Sequence, residues 1–188
     1  SNVTFPKLDF GKNIAKEAKY TYTAGNVNAE ILTNGKFERH VGGGPYGGQF
    51  CNLPFKKGPQ TLEISFDKSR EIKALVMFGC WPDNPHCGII DYDFEYWSGG
   101  SWVTVEKVRN HCPTSTRANS SYCEIMGWYL DPTNGLHVFD KPVRTEKLRL
   151  VFHKITYGFM PDIECVNMHG KNVSTGQIEI REMEIYAK

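Results

Sequence analysis

The sequence predicts an all-β fold, a jelly-roll β-sandwich forming a single domain over residues 1–188, on three observations. Short segments that alternate apolar and polar residues recur along the chain, turn-forming residues separate them, and only one short segment reads as helix. Parallel sheets need crossovers of a dozen or more residues, and no helix here is long enough, so the strands are expected to pair antiparallel.

Taken in order, Asn28-Ala-Glu-Ile-Leu-Thr-Asn-Gly35 is the helix, with Asn28 as its cap and Gly35 as its stop. A glycine-rich loop follows at Val41 to Gly48, without the Gly-Lys-Ser/Thr ending of a phosphate loop. Thr61-Leu-Glu-Ile-Ser-Phe66 alternates, and Glu71 to Phe78 is a nearly continuous apolar run; both predict strands. Phe78 to Ile90 then holds a tryptophan and a histidine between Cys80 and Cys87, in a stretch whose two prolines break regular structure.

Tyr92 to Trp97 alternates again, Ser98-Gly-Gly-Ser101 reads as a hairpin turn, and Trp102 to Glu106 is its returning strand, with Trp97 and Trp102 read as packing. Further strands are expected at Leu136 to Phe139, Lys147 to Phe152 and Gln177 to Tyr186. The last contains a conflict: Ile178 and Ile180 share one face, while Met183 and Ile185 take the opposite phase. A bulge near Arg181 and Glu182 would resolve it. Without one, Glu182 joins the isoleucines and its carboxylate needs a cation, a partner among Arg39, Arg149 and Arg181, or solvent.

Charge argues against broad classes of partner. The 22 Lys and Arg nearly cancel the 21 Asp and Glu, so no global field favours nucleic acid or anionic lipid, and neither nucleic acid nor membrane is an expected partner. No apolar run approaches the roughly 18 residues of a membrane helix, and the expectation is a soluble domain with any signal peptide missing from the sequence. Six cysteines without a Cys-x-x-Cys pair favour extracellular disulfides. Short Pro- or Asn-containing loops suggest Cys80 with Cys87 and Cys112 with Cys123, leaving Cys51 for Cys165. Sequons at Asn2, Asn119 and Asn172 agree with export.

The order of segments resembles the discoidin, or factor V/VIII type C, superfamily, and its pattern is closest to the family 32-like carbohydrate-binding modules with their galactose-binding-like fold. Asn13 to Thr23 resembles the opening strand, Ala29 to Gly35 the short helix ending in Asp-Gly, with Asn34 in place of the aspartate. Tyr92 to Val105 resembles the family's hairpin, Val143 to Phe152 an inner strand, and Ile180 to Ala187 the closing strand. Residues 39 to 58 and 107 to 135 depart from the pattern.

The resemblance implies a structural calcium ion held by Asn34, the carbonyl of Lys36, and Glu182, an oxygen set that suits a hard cation. It also implies that the loop after the second core strand lies at the ligand-binding end of the sandwich. Trp81 and His86 on that loop supply an apolar platform for a sugar's C–H face and a hydrogen-bonding group for its hydroxyls. His40, Tyr46, His111, Arg117, Tyr157 and Phe159 on other loops complete the candidate set. Two other readings stay open: Trp81 folding back onto the sandwich edge, and zinc held by Cys80, His86, Cys87 and His111 or Cys112, disfavoured because adjacent ligands rarely fit one tetrahedron.

No nucleophile elbow, His-Glu-x-x-His helix or Walker loop is found, and Asp91 with Asp93 reads as a solvent face rather than a metal pair. The expectation is therefore a non-catalytic module that binds an oligo- or polysaccharide, extracellular or on a cell surface, and normally part of a larger secreted protein. The alternatives are a discoidin-type reader of protein or phospholipid, with Phe159 and Met160 as apolar spikes, and, behind it, a polysaccharide-active enzyme.

Overall fold

The computed structural model describes residues 3–4, 10–35, 40–41, 51–78, 81–82, 88–111, 135–157, 176–180 and 182–188. The elements are β1 (Val3–Thr4), β2 (Lys12–Asn13), a 3-10 turn (Ala15–Glu17), β3 (Lys19–Tyr22), α1 (Ala29–Thr33), β4 (His40–Val41), β5 (Cys51–Phe55), β6 (Gln60–Phe78), β7 (Trp81–Pro82), β8 (Gly88–Ser98), β9 (Ser101–His111), β10 (Leu136–Tyr157), β11 (Gly176–Ile180) and β12 (Glu182–Ala187). Every pairing between these strands is antiparallel, and the fold is the expected all-β jelly-roll sandwich.

The largest sheet runs β2-β12-β6-β10-β8-β9, with β3 added beside β6. Here β6 and β10 each carry two of the segments read as separate strands. Both run unbroken because each absorbs the change of direction in register shifts, between Val138 and Val143 and between Thr145 and Lys147. One half of β6 pairs with β3 through Leu62 to Ser65, the other with β12 through Ile72 to Phe78.

The bend turns the sheet over on itself. Phe94 of β8 pairs in the ladder with Leu150 of β10, yet its ring lies 5.6 Å from Phe139 at the other end of that strand. Between the two layers sit Leu62, Ile64, Leu75, Met77, Tyr92, Phe94, Leu148 and Phe152, while β5 and β11 add Cys51, Leu53, Phe55, Ile178 and Ile180 from a smaller sheet ordered β5-β11-β7. Ala74 and Val76 point the other way, under Tyr186, Phe10 and Leu136, which explains why this run is apolar on both faces.

The conflict in the last strand is settled by a change of sheet, not by a bulge within one strand. β11 pairs with β5 and β7 in the small sheet, and from Glu182 onward β12 pairs with β6 and β2 in the large one. Ile178, Ile180, Met183 and Ile185 all reach the same core because it lies between those sheets. The helix and hairpin follow expectation. The Asn28 side chain accepts the Ile31 N–H at 3.1 Å, and Gly99 and Gly100, at φ of 58° and 101°, form the two-residue turn.

Cys51 is a free thiol, fully buried in β5, which overturns its expected pairing with Cys165. Its side chain serves as a small apolar core group, and burial pushes its pKa up to about 11. The pairs Cys80–Cys87 and Cys112–Cys123 lie outside the described residues.

Candidate functional site

The strand ends carry three of the residues expected to contact ligand. Tyr157, ending β10, pairs with Gly88 at the start of β8, and His111, ending β9, pairs with Ile90 two residues along. Trp81 lies in β7, which pairs with β11 through Glu179 and comes close to β8 and β10. The backbone positions of Trp81, His111 and Tyr157 are thus gathered by β7, β8, β9 and β10, segments far apart in sequence. His40 is elsewhere, in β4, where among the described residues it pairs with Thr4 of β1. His86, Tyr46, Arg117 and Phe159 lie outside the described residues.

Two of the three residues expected to hold calcium, Asn34 and Glu182, are described, at the end of α1 and the start of β12. Asn34 is the C-cap of the helix, and Gly35 follows in the left-handed region at φ of 72°. That turn aims the Gly35 N–H at Glu182, whose Oε2 accepts it at 2.7 Å. Glu182 is 2% exposed, so the expectation of a buried carboxylate at the start of the closing strand is met. Its charge is felt nearby: the Tyr20 phenol is pushed up first by burial, then by Glu182 and Cys51. Arg149 does not serve Glu182, being committed to Glu95 with Nε to Oε1 at 2.7 Å, and Arg39, Arg181 and Lys36 lie outside the described residues. Among the described residues the buried Glu182 carboxylate supplies the hard oxygen that calcium prefers, and one of its two oxygens accepts the Gly35 N–H.

Sequence reasoning missed a polar chain that runs from the core to the surface. The Tyr92 hydroxyl and His137 Nε2 are 2.8 Å apart, and the other ring nitrogen of His137 meets Glu106 Oε2 at 2.5 Å. His137 is buried, and burial lowers its pKa below the ordinary value, against the opposing pull of Glu106. These three residues come from β8, β9 and β10, and no spacing rule connects them.

The solvent face of the same three strands carries linked charges and aromatic rings. Asp93 accepts from His153 Nε2 at 2.9 Å and from Arg109 Nη1 at 2.8 Å. Burial raises the Asp93 pKa, but those two hydrogen bonds outweigh it and the net direction is down. Asp93 is thereby held in an ion-pair cluster. Glu95 is closed in the same way by Arg149 and by the Thr104 hydroxyl at 2.8 Å. Trp97 and Trp102 face each other across the β8–β9 pair, edge to face at 5.3 Å, as hairpin packing predicts.

No protein-family model matches the chain, and no curated protein matches it. Solved structures do. A family 89 glycoside hydrolase from Clostridium perfringens, in complex with 2-acetamido-1,2-dideoxynojirmycin, aligns with a TM-score of 0.51 and 11% identity, over 95% of this chain and 15% of the hydrolase. The family 32 carbohydrate-binding module of Streptococcus pneumoniae EndoD aligns at 0.48 with 16% identity, over 94% of this chain and 100% of the module. The family 32 module of C. perfringens NanJ, in complex with galactose, aligns at 0.47 with 13% identity, over 92% and 96%. At these identities the likeness is one of fold alone.

Proposed function

We propose that this chain is a non-catalytic carbohydrate-binding module that recognises a glycan through loops at one end of the sandwich. The observation that carries the reading is the gathering of Trp81, His111 and Tyr157 at neighbouring strand positions, on a fold that also occurs as a small part of a glycoside hydrolase. An indole supplies the flat apolar surface, and imidazole and phenol supply directed hydrogen bonds, the combination a sugar ring requires. The reading carries with it export from the cell and a place within a longer chain.

A calcium ion held by Asn34, the Lys36 carbonyl and Glu182 belongs to the same reading, as a brace for the helix end. When bound, it would neutralise the buried carboxylate and tie α1 to β12. Two hydrogen bonds support this reading: the Gly35 N–H holds one oxygen of Glu182, and the Asn28 cap holds the start of the helix.

The test is binding of the purified chain to a broad glycan and polysaccharide array, in matched wells with calcium or a chelator. Glycan binding that Trp81→Ala abolishes, with an unchanged circular dichroism spectrum, supports the reading. Unaltered binding by Trp81→Ala moves the site away from β7, and silence across the array sinks the sugar reading.

A further inference from the structure

We propose that the solvent face of β8, β9 and β10 is a second binding surface, for a polysaccharide bearing carboxylate groups, held by Trp97, Trp102 and Lys147. The inference takes its ligand class from the carbohydrate reading above, but its site uses different side chains and is separate from the loop end. Phe94 lies in the core and Tyr96 packs against it, so Glu95 and Trp97, which alternate with them, stand on the opposite face. Both indoles are partly exposed there, directly beside the two-glycine turn.

Cations lie over these rings. Lys147 Nζ is 4.2 Å from the centre of the Trp97 ring and 5.5 Å from that of Trp102, and the Arg149 guanidinium is 4.2 Å from Trp102. The two cations differ in what they have left to offer. Arg149 is bound to Glu95, and Glu95 has both oxygens engaged, so that pair is closed. Lys147 has Glu63 at 3.9 Å, the outer limit of an ion pair, and its side chain is 27% exposed. An ammonium with spare hydrogen-bonding capacity thus sits over the Trp97 ring, beside two partly exposed indoles set edge to face.

That arrangement suits a sugar ring with a carboxylate on it: the C–H face meets the part of the indoles that Lys147 and Arg149 leave open, and the carboxylate meets Lys147. One available ammonium suits a chain with about one charge per ring. A densely sulfated chain would bring further anions against Glu63 and Glu95, where like charges repel.

The experiment is native gel electrophoresis of the full chain through gels containing polygalacturonate, with gels containing neutral dextran or dextran sulfate as the other arms. At about 50 mM salt polygalacturonate should retard the protein, and about 500 mM salt should remove most of that retardation. Lys147→Gln and Trp102→Ala should each weaken retention about fivefold or more, and Lys16→Gln, which removes an exposed lysine of the 3-10 turn, should leave it unchanged. Lys147→Gln alters a partly exposed side chain and decides the matter if Trp102→Ala fails to fold. Equal retention of wild type and Lys147→Gln overturns the proposal, as does an equal loss of retention in Lys16→Gln. So does retention by dextran sulfate alone, or by no polymer at all. Failure of the loop-end reading shows only in the Trp81→Ala array result.

Discussion

The Tyr92 hydroxyl lies 2.8 Å from His137 Nε2 inside the core, although Tyr92 is paired in the sheet with Phe152, fifteen residues further along the strand that carries His137. The bond joins the two layers of one folded-over sheet. Tyr92→Phe keeps the shape and removes the partner, leaving a buried ring nitrogen unsatisfied, which costs about 1–3 kcal/mol. Urea unfolding checks this; a midpoint equal to wild type would refute the role given to the bond.

The same histidine gives stability a pH dependence with a defined sign. Its pKa in the folded chain lies below the ordinary 6.5, so the unfolded chain binds the extra proton more readily. The contribution is complete above about pH 6.5 and is lost as pH falls through the folded value. In urea titrations at about pH 7.5 and pH 5.5, wild type should lose stability at the lower pH, and His137→Gln should lose less. An identical pH response in the variant would exclude His137 as its source.

Calcium should raise the melting temperature if Glu182 helps to hold it. At a concentration a hundred times Kd, binding adds about 2.7 kcal/mol, on the order of 5–10 °C for a chain of this length. Glu182→Gln should abolish the calcium-dependent part of the shift. Equal melting in calcium and chelator for the wild type would remove the metal from the account.

Cys51 should resist alkylation while the chain is folded. With its pKa pushed up to about 11 and its side chain fully buried, about one molecule in a thousand carries the thiolate at pH 8. Iodoacetamide labelling read by mass spectrometry should modify Cys51 only after unfolding. Recovery of a Cys51–Cys165 cross-linked peptide from the native protein would contradict the free thiol.

The hairpin turn should tell its two glycines apart. Gly99 has the φ of 58° that asparagine adopts readily, while Gly100 at 101° lies outside that range. Gly99→Asn should be nearly neutral, and Gly100→Ala should cost about 1–2 kcal/mol in urea unfolding. Equal effects would mean that the turn relaxes to another form.

What could be read from the sequence was local. Alternation at Thr61 to Phe66 and at Tyr92 to Trp97 reports which side of a strand is wet, and Asn28 and Gly35 announce a helix end by their own chemistry. Even the conflict between Ile180 and Met183 was visible, because it is a break in phase. Its cause was hidden: whether a chain bulges within a sheet or crosses to another depends on partners far away. The joining of 61–66 with 71–78 into β6 escaped for the same reason, since the strand runs on through a register shift against β10 that lies between Ser65 and Arg70. Tyr92, Glu106 and His137 meet only because the sheet folds over. Trp81, His111 and Tyr157 could be named as residue types suited to sugar, but their proximity is a property of strand order.

Because β6 and β10 pass through both layers, the sandwich has no seam along which it could come apart. Neither layer can assemble first, since each lacks half of its two longest strands until the other is in place. The pairings that close the structure, such as Asn13 with Tyr186, join segments from opposite ends of the described chain. Such long-range pairing slows folding, because the entropy of closing large loops is lost before most contacts form. Once closed, the same connectivity ties Tyr157, at the end of β10, to a strand that belongs to both layers.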